Sequence, residues 1–322
     1  VDKSANYKLR LWLDLKDITD EAKEALVGQK IFLALKINGI QNMENITIAT
    51  DKLIALTNNQ NESGLYTITH PADNTLQIGN DKDITEYRYR GASPKNYVTF
   101  NNEVWRIIGV FPTDDGNGNI ENRIKLIKDQ SIGNKAWNSN NNWTEATLKD
   151  ELNGTYLTGL TSTAQNMIGN AKYYLGGHYD IPDLQKDVMY KYERKIDNSS
   201  CAGGNNCHYV AGNPNNSVNK ISLMYVSDYG YAVSDECTQT LGNYNNVTCK
   251  TNNWLFKSYN EWTLSQLAYD FDDTVFYIVS AGGVDGGNVT DQYNVRPTLY
   301  LNSYIQITGG DGTSSSPYTF GL

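Results

Sequence analysis

Aromatic side chains that stand next to amides are the most chemically suggestive feature of this sequence. Trp137, Trp143 and Tyr259 each lie in an Asn-containing stretch, and Asn141 stands between the two tryptophans. A flat ring can stack on a sugar face or on a peptide, while an amide both donates and accepts hydrogen bonds. These four residues therefore predict a loop surface that binds a glycan or another protein.

Core packing is the alternative interpretation of such rings, because large aromatic side chains are buried on average. Core packing is the favoured interpretation for three other tryptophans: Trp105, Trp254 and Trp262. For the rings of the predicted surface, both interpretations stay open at this point.

The four cysteines fall into two local pairs, Cys201 with Cys207 and Cys237 with Cys249, each within one Gly/Asn-rich loop. Four cysteines allow three connectivities, and the local one is favoured because both members of a pair share a loop. Each bond would stabilise the fold by roughly 2–3 kcal/mol on the chain-entropy model. A zinc site is the alternative, but His208 directly follows Cys207, which is poor chelate geometry. Disulfides indicate an oxidising, extracellular location.

Signals for metal binding and catalysis are weak. Asp270, Asp272 and Asp273 form an acidic loop, DFDD, that could hold calcium, although a solvated turn is the favoured interpretation. The sequence contains no GxSxG, HExxH or P-loop motif. We therefore predict no catalytic residue, no metal ion and no cofactor, and we expect the protein not to be an enzyme.

Charge narrows the choice of partner. The 322 residues carry a formal net charge of −9, and the lysines and arginines are spread along the chain. Nucleic acids and anionic membranes attract basic patches, so neither is expected as a partner. No stretch approaches the ~20 apolar residues of a membrane span. The partners that remain are a glycan, a cell-surface protein, or further copies of the chain.

A predicted β-hairpin at residues 97–111, YVTFNNEVWRIIGVF, organises the rest of the chain. Asn101 and Asn102 mark its turn, and the apolar run that follows suits a central strand covered on both faces. Further strands are predicted at residues 7–14, 31–37, 45–48, 53–56, 64–69, 122–128, 221–226, 253–256, 275–279 and 295–301, with a closing pair at 304–307 and 318–320. Helices are predicted from Thr144, acting as a cap, to about Leu152, from Ser162 onwards, and within residues 182–194.

Several short motifs carry a resemblance to a known family. They are 88–91 (RYRG), 94–97 (PKNY), 105–109 (WRIIG), 223–225 (LMY), 227–232 (SDYGYA) and 294–297 (NVRP). Together they resemble a module of Gram-positive bacterial surface proteins with a C-type-lectin-like fold, distantly similar to formylglycine-generating-enzyme domains. That family usually has Gly before Val-Arg-Pro, where this chain has Asn294. The resemblance implies an α+β module at residues 86–322, with small antiparallel sheets, two or three helices and long loops.

Residues 1–85 are predicted to form a separate β-rich domain or appendage. The strands at 7–14 and 31–37 resemble the last two strands of the β-sandwich of TasA and camelysin. Two strands alone cannot bury their apolar faces, so either the connector that follows or a neighbouring subunit must cover them.

These observations predict a non-catalytic extracellular surface protein that acts as an adhesin or ligand-binding module. The alternative function is structural. In that interpretation the chain is a subunit of an extracellular fibre or pilus-like filament, assembled by strand addition through the N-terminal strands.

Overall fold

A computed structural model of the chain describes Thr19 and residues 48–180, 184–197, 207–268 and 271–322. Apart from Thr19, all of these belong to one compact unit that spans Ile46–Leu322. The strands predicted at 7–14 and 31–37, and the fibre interpretation that depends on them, lie outside the described residues.

The described residues form mixed sheets with few helices, with more strand (35%) than helix (19%), which is consistent with an α+β or a mostly-β fold. The strands are β1 Gly64–His70, β2 Ile84–Arg90, β3 Tyr97–Phe100, β4 Glu103–Asp114, β5 Ile120–Lys128, β6 Asn134–Lys135, β7 Ala171–Tyr174, β8 Gly177–His178, β9 Asn216–Asn219, β10 Ile221–Ser222, β11 Glu261–Leu267, β12 Thr274–Ile278, β13 Val284–Asn288, β14 Tyr293–Asn294, β15 Thr298–Tyr300, β16 Gln306–Gly309 and β17 Tyr318–Gly321.

The helical segments are short. α-Helices span Ala49–Ile54, Thr147–Glu151, Leu157–Gly159, Ser162–Met167, Lys186–Glu193, Val226–Tyr231 and Val247–Thr251, with 3-10 turns at Trp143–Glu145 and Leu241–Asn243 and a π-helical turn at Leu152–Tyr156.

A nine-stranded sheet holds the centre of the unit, in the order β10–β15–β5–β4–β3–β17–β16, and the β1–β2 hairpin joins it where β2 pairs with β4. β4 is buried without interruption from Trp105 to Phe111. It pairs with β5 on one side and with β3 and β2 on the other. The predicted hairpin at residues 97–111 and its covered central strand are therefore confirmed. Asn101 and Asn102 form the turn of this hairpin with positive φ values.

Gly109, the last residue of the WRIIG motif, lies where β2 pairs with β4. Arg88 is its partner across the ladder. A Cβ atom at Gly109 would lie 2.1 Å from the carbonyl oxygen of Tyr87. Only glycine permits this close approach of two backbones. The packing of β2 against β4 therefore explains why this motif position is a glycine.

The end of the chain returns to the opening hairpin. β17 runs parallel to β3, with Tyr318 opposite Val98, and pairs with β16 on its other side. The closing pair predicted at 304–307 and 318–320 is confirmed with β16 beginning at Gln306. The late strand predicted at 295–301 is shorter, and β15 joins the sheet beside β5.

A second sheet has the order β13–β12–β11–β14–β6, with β8 attached to β11. Every residue of β11 is buried. β7 and β9 form a separate two-stranded ladder. Most apolar side chains of both large sheets belong to one continuous core.

Four predicted elements were wrong. The strand predicted at 53–56 is replaced by the helix Ala49–Ile54, since Ala49 and Leu53, four residues apart, bury one face of it. Of the strand predicted at 45–48, only Ile48 lies among the described residues, and it makes an antiparallel bridge to Gln306. Thr144 caps no α-helix: Asn142 caps a 3-10 turn instead, and the α-helix begins at Thr147.

The third difference lies at residues 221–226. The strand ends at Ser222, and Val226 begins a helix because the Asp228 carboxylate accepts the backbone N–H of Tyr225 at 2.9 Å. Residues 253–256 likewise form no strand, although Asn253 makes isolated bridges.

The predicted boundary between residues 85 and 86 lies inside β2. The partners of β2 are β1, which precedes that boundary, and β4, which follows it. Residues on both sides of the boundary therefore share one sheet.

Candidate functional site

The rings of the predicted binding surface lie in the core. Trp137 and Trp143 are both 0% exposed, and their ring centroids are 4.9 Å apart. The indole N–H of Trp137 donates to the carbonyl oxygen of Thr263 on β11 at 3.1 Å. These tryptophans are core residues, so the surface interpretation was wrong for them.

Asn141, which lies between Trp137 and Trp143 in the sequence, is also buried. Its side-chain amide donates to the carbonyl oxygens of Leu267, Phe271 and Thr274, at 3.1, 2.7 and 3.2 Å. An amide nitrogen within hydrogen-bond distance of three carbonyl oxygens ties the segment between β11 and β12 together, and this role is structural rather than ligand-binding.

Tyr259 is half-buried, and its enclosed hydroxyl has no hydrogen-bond partner. Burial raises its pKa to about 12. The core interpretation of Trp105, Trp254 and Trp262 is confirmed, because these side chains are 0%, 6% and 1% exposed.

The predicted Cys237–Cys249 disulfide is present. It fastens the segment before the 3-10 turn Leu241–Asn243 to the helix Val247–Thr251, so the zinc alternative fails for this pair. Cys207 is also disulfide-bonded, and its predicted partner Cys201 lies outside the described residues.

Replacing both Cys237 and Cys249 by alanine should lower the free energy of unfolding by about 3 kcal/mol, as the chain-entropy model gives for a closed loop of this size. The bond joins residues separated by 12 positions. Urea unfolding of the oxidised protein and of the double variant measures the difference. An equally stable double variant would show that the loop is held by other contacts.

Six charged side chains on β2, on β5, on the helix Val226–Tyr231 and at the end of the helix Lys186–Glu193 are buried, and we call them the ion network: Glu86, Arg88, Lys125, Glu193, Arg194 and Asp228. All are 4% exposed or less. Arg88 donates to Glu86 at 2.8 Å and to Asp228 at 2.9 Å. The Lys125 ammonium contacts the second oxygen of Asp228 at 2.5 Å. Buried charges must be paired in this way.

Glu193 is held by a different set of partners. One carboxylate oxygen accepts from the Ser265 hydroxyl at 2.7 Å and from the Ser227 backbone N–H at 3.0 Å, while the other lies 3.0 Å from Arg194. Burial raises the pKa of Glu193 in spite of these contacts. Burial acts on Asp228 in the same direction, but Lys125 and Arg88 outweigh it, so the pKa of Asp228 lies below its ordinary value.

The polar residues of the family-like motifs are therefore structural. Arg88 and Asp228 belong to the ion network, and the buried Arg296 donates to Glu261 at 2.7 Å. Arg106 stacks over the Tyr97 ring at 3.7 Å and donates to Asn96. These motifs encode the packing of the core.

An open cleft of about 660 Å³ lies on one face of the second sheet; we call it the Phe271 cleft. Leu267, Phe276 and Val284, from three adjacent strands, form its apolar floor. β12 and β13 pair with Phe276 opposite Gly286 and Ile278 opposite Val284, so Phe276, Gly286 and Val284 share one face. A volume of this size suits a small ligand.

The rim of the Phe271 cleft carries aromatic rings and oxygen-bearing groups. Phe271 is 42% exposed and Tyr179 is half-buried. Asn243 and Asp285 are exposed beside them, and Asp180 completes the rim. No lysine or arginine is among the described residues that line this cleft. Rings, an amide and carboxylates can together bind an uncharged, hydroxyl-rich ligand.

This site was not predicted from the sequence, in which Phe271 stands within the acidic DFDD loop. Asp270 lies outside the described residues, and among those described no group of three or more His, Cys, Asp or Glu side chains is placed to hold a metal ion. The one signal in the sequence was an aromatic ring within an acidic stretch. That Phe271 and Tyr179 line the same cleft follows only from the tertiary structure.

Comparisons with known proteins identify no relative. No protein-family model matches the chain, and searches of curated proteins and of solved structures find no significant match. Among the residues that the structure describes, no helix has the length and apolarity needed to span a bilayer.

Proposed function

We propose that this protein is a non-catalytic, extracellular surface protein that binds a neutral glycan in the Phe271 cleft, and so acts as an adhesin or ligand-binding module. The observation that carries the proposal is that the exposed Phe271 ring and Tyr179 line one cleft over an apolar floor, with no lysine or arginine among the described residues of its lining. A sugar ring presents an apolar face to such a platform and hydroxyl groups to its rim.

Two further observations support parts of this proposal. The Cys237–Cys249 bond is weakly compatible with an oxidising compartment. The ionised groups of the ion network neutralise one another inside the core, which supports a structural role for them rather than a catalytic one. A C-type-lectin-like module of a bacterial surface protein is the fold that we propose, in agreement with β17 returning beside β3.

The test is a glycan array followed by calorimetry with the best neutral glycan. Phe271→Ala and Tyr179→Ala should each weaken binding about tenfold, because a lost stacking contact is worth on the order of 1–1.5 kcal/mol. Both substitutions should leave the melting temperature nearly unchanged, since surface changes stay within about ±0.5 kcal/mol.

Tyr304→Ala is the matched control, because Tyr304 is 55% exposed and lies outside the cleft. Its affinity should equal that of the unmodified protein. The proposal fails if no glycan binds, or if the Phe271 and Tyr179 variants bind as tightly as the control.

A further inference from the structure

The loop that the Cys237–Cys249 bond closes forms one wall of the Phe271 cleft. Gly242 and Asn243, which lie near the middle of this loop, are among the residues that line the cleft. Asn243 is exposed, and it carries the only side-chain amide among the described residues of the lining. The wall therefore presents to the cleft a group that both donates and accepts hydrogen bonds.

Buried anchors hold this wall on either side of its exposed part. Leu241 is 0% exposed, and its backbone N–H donates to the carbonyl oxygen of Leu184 at 3.0 Å. Tyr244 is 2% exposed, and its hydroxyl donates to the carbonyl oxygen of Gly230 at 3.2 Å. The residues between these anchors cannot shift far without moving packed side chains, so the wall is preorganised for binding.

The wall also packs against the turn that joins β12 to β13. A Cβ atom at Gly283 would lie 2.6 Å from the carbonyl oxygen of Gly242, so only glycine permits this contact. The carbonyl oxygen of Gly282, in the same turn, accepts the hydroxyl of Tyr229 at 2.7 Å. Val284 follows this turn directly and forms part of the apolar floor of the cleft. The wall and the floor are therefore fixed relative to each other.

The Asn243 side chain is itself oriented, because its amide nitrogen donates to the Thr240 hydroxyl at 3.0 Å. An amide has two N–H donors and one carbonyl oxygen, so this bond uses one donor and limits the rotation of the group. Ring stacking on Phe271 or Tyr179 recognises the apolar face of a sugar, which several hexoses share. Hydrogen bonds distinguish these hexoses, because they differ in the direction of individual hydroxyl groups.

We propose that Asn243 is a ligand-binding residue of the Phe271 cleft and determines which neutral hexose is bound, by hydrogen bonds to the hydroxyl groups of the sugar. The Cys237–Cys249 bond keeps Asn243 in position for these hydrogen bonds. This inference rests on the proposed function. It adds that Phe271 and Tyr179 supply affinity for any hexose ring, whereas Asn243 supplies selectivity.

The probes are the methyl glycosides of glucose, galactose and mannose, and binding of each to the full chain is followed by NMR titration. The unmodified protein should prefer one of the three at least about fivefold, the effect of one hydrogen bond. Asn243→Ala should bind all three within about twofold of one another, because the group that reads the hydroxyls is gone. Phe271→Ala should instead weaken all three about tenfold and keep the preference.

Asn245→Ala is the matched control, because Asn245 is an exposed asparagine of the same loop that does not line the cleft. It should keep both the affinity and the preference of the unmodified protein.

The double variant C237A/C249A tests the positioning role of the bond, in titrations run well below its melting temperature. It should lose the preference as Asn243→Ala does. Adding Asn243→Ala to it should cause no further change, since both changes act on the same hydrogen bonds. Adding Phe271→Ala to it should weaken binding by a further factor of about ten, since the ring contact is independent of the bond.

The results that would overturn the proposal are distinct from those that would overturn the proposed function. An Asn243→Ala variant that keeps the preference, or an unmodified protein that binds all three glycosides equally, would contradict the role of Asn243. An equal loss in Asn245→Ala would show that any change in the loop has this effect. A double cysteine variant that keeps the preference would exclude the bond as the positioning element. Failure of the unmodified protein to bind the glycan array and all three glycosides would contradict the proposed function itself.

Discussion

Replacing Asp228 by asparagine will lower the free energy of unfolding by about 3–5 kcal/mol, the expected loss when one partner is removed from a buried ion pair. The Asp228 carboxylate lies between Arg88 at 2.9 Å and Lys125 at 2.5 Å, and all three side chains are 1% exposed or less. An amide leaves both cations without their shared counter-charge in the core. Urea unfolding of the two proteins at pH 7 measures the difference.

Asp129→Asn provides the control for this substitution. Asp129 pairs with Lys257 at 3.1 Å, but both side chains are partly exposed. An ion pair near solvent contributes only about 0–1 kcal/mol. Similar losses in the Asp228 and Asp129 variants would show that the ion network has no special weight.

Acid titration gives a second measure of the same substitution. Arg88 outweighs burial at Glu86, as Lys125 and Arg88 do at Asp228, so the pKa of each carboxyl lies below its unfolded value. Their stabilisation is complete above the unfolded pKa values of about 4 and is lost as the pH falls through the folded values. Burial raises the pKa of Glu193 and of Glu261. The stability that these two groups contribute at low pH is therefore lost as the pH rises through their folded pKa values. Below pH 4, the free energy of unfolding of the Asp228→Asn variant should fall less steeply with decreasing pH than that of the unmodified protein. The difference in slope should correspond to the binding of up to about one proton.

Replacing Trp143 by alanine will lower the free energy of unfolding by about 3–5 kcal/mol, because a large ring leaves a cavity in a packed core. Trp143 is 0% exposed and packs against Trp137. Chemical unfolding and the melting temperature measure the loss. This expectation reverses the one that follows from the Asn-rich sequence context, which predicts weaker binding and unchanged stability.

Phe271→Ala is the matched comparison for Trp143→Ala. Phe271 is 42% exposed, so its substitution should change stability by no more than about 0.5 kcal/mol. A Trp143 variant as stable as the Phe271 variant would mean that the core closes around the missing ring.

Local chemistry in the sequence determined much of the central sheet. The run Val104–Phe111 is apolar almost without a break and is rich in β-branched and aromatic residues, which favours a covered strand over a helix, and β4 is that strand. Positive φ values at Asn101 and Asn102 follow from the tolerance of asparagine for the left-handed region. The Cys237–Cys249 bond followed from sharing one loop. Each of these signals is contained within a dozen neighbouring residues.

The tertiary structure alone decided which side chains face solvent in the irregular segments. Trp143 and Phe271 both stand beside polar residues in the sequence, yet one is enclosed and the other is 42% exposed. Loops have no repeating period from which the buried face can be read. The backbone bonds from Trp137 to Val289 and from Asn141 to Asp272, which turn the tryptophans inward, join residues about 130 to 150 positions apart.

The sequence likewise does not show which charged side chains are buried and paired with one another. The sequence shows Arg88, Lys125 and Asp228 as scattered ionisable residues, which alone would be expected on a solvated surface. Strand pairing and the helix Val226–Tyr231 bring them within hydrogen-bond distance inside the core. Composition sets how many charges the chain has, and only the fold decides which of them neutralise one another.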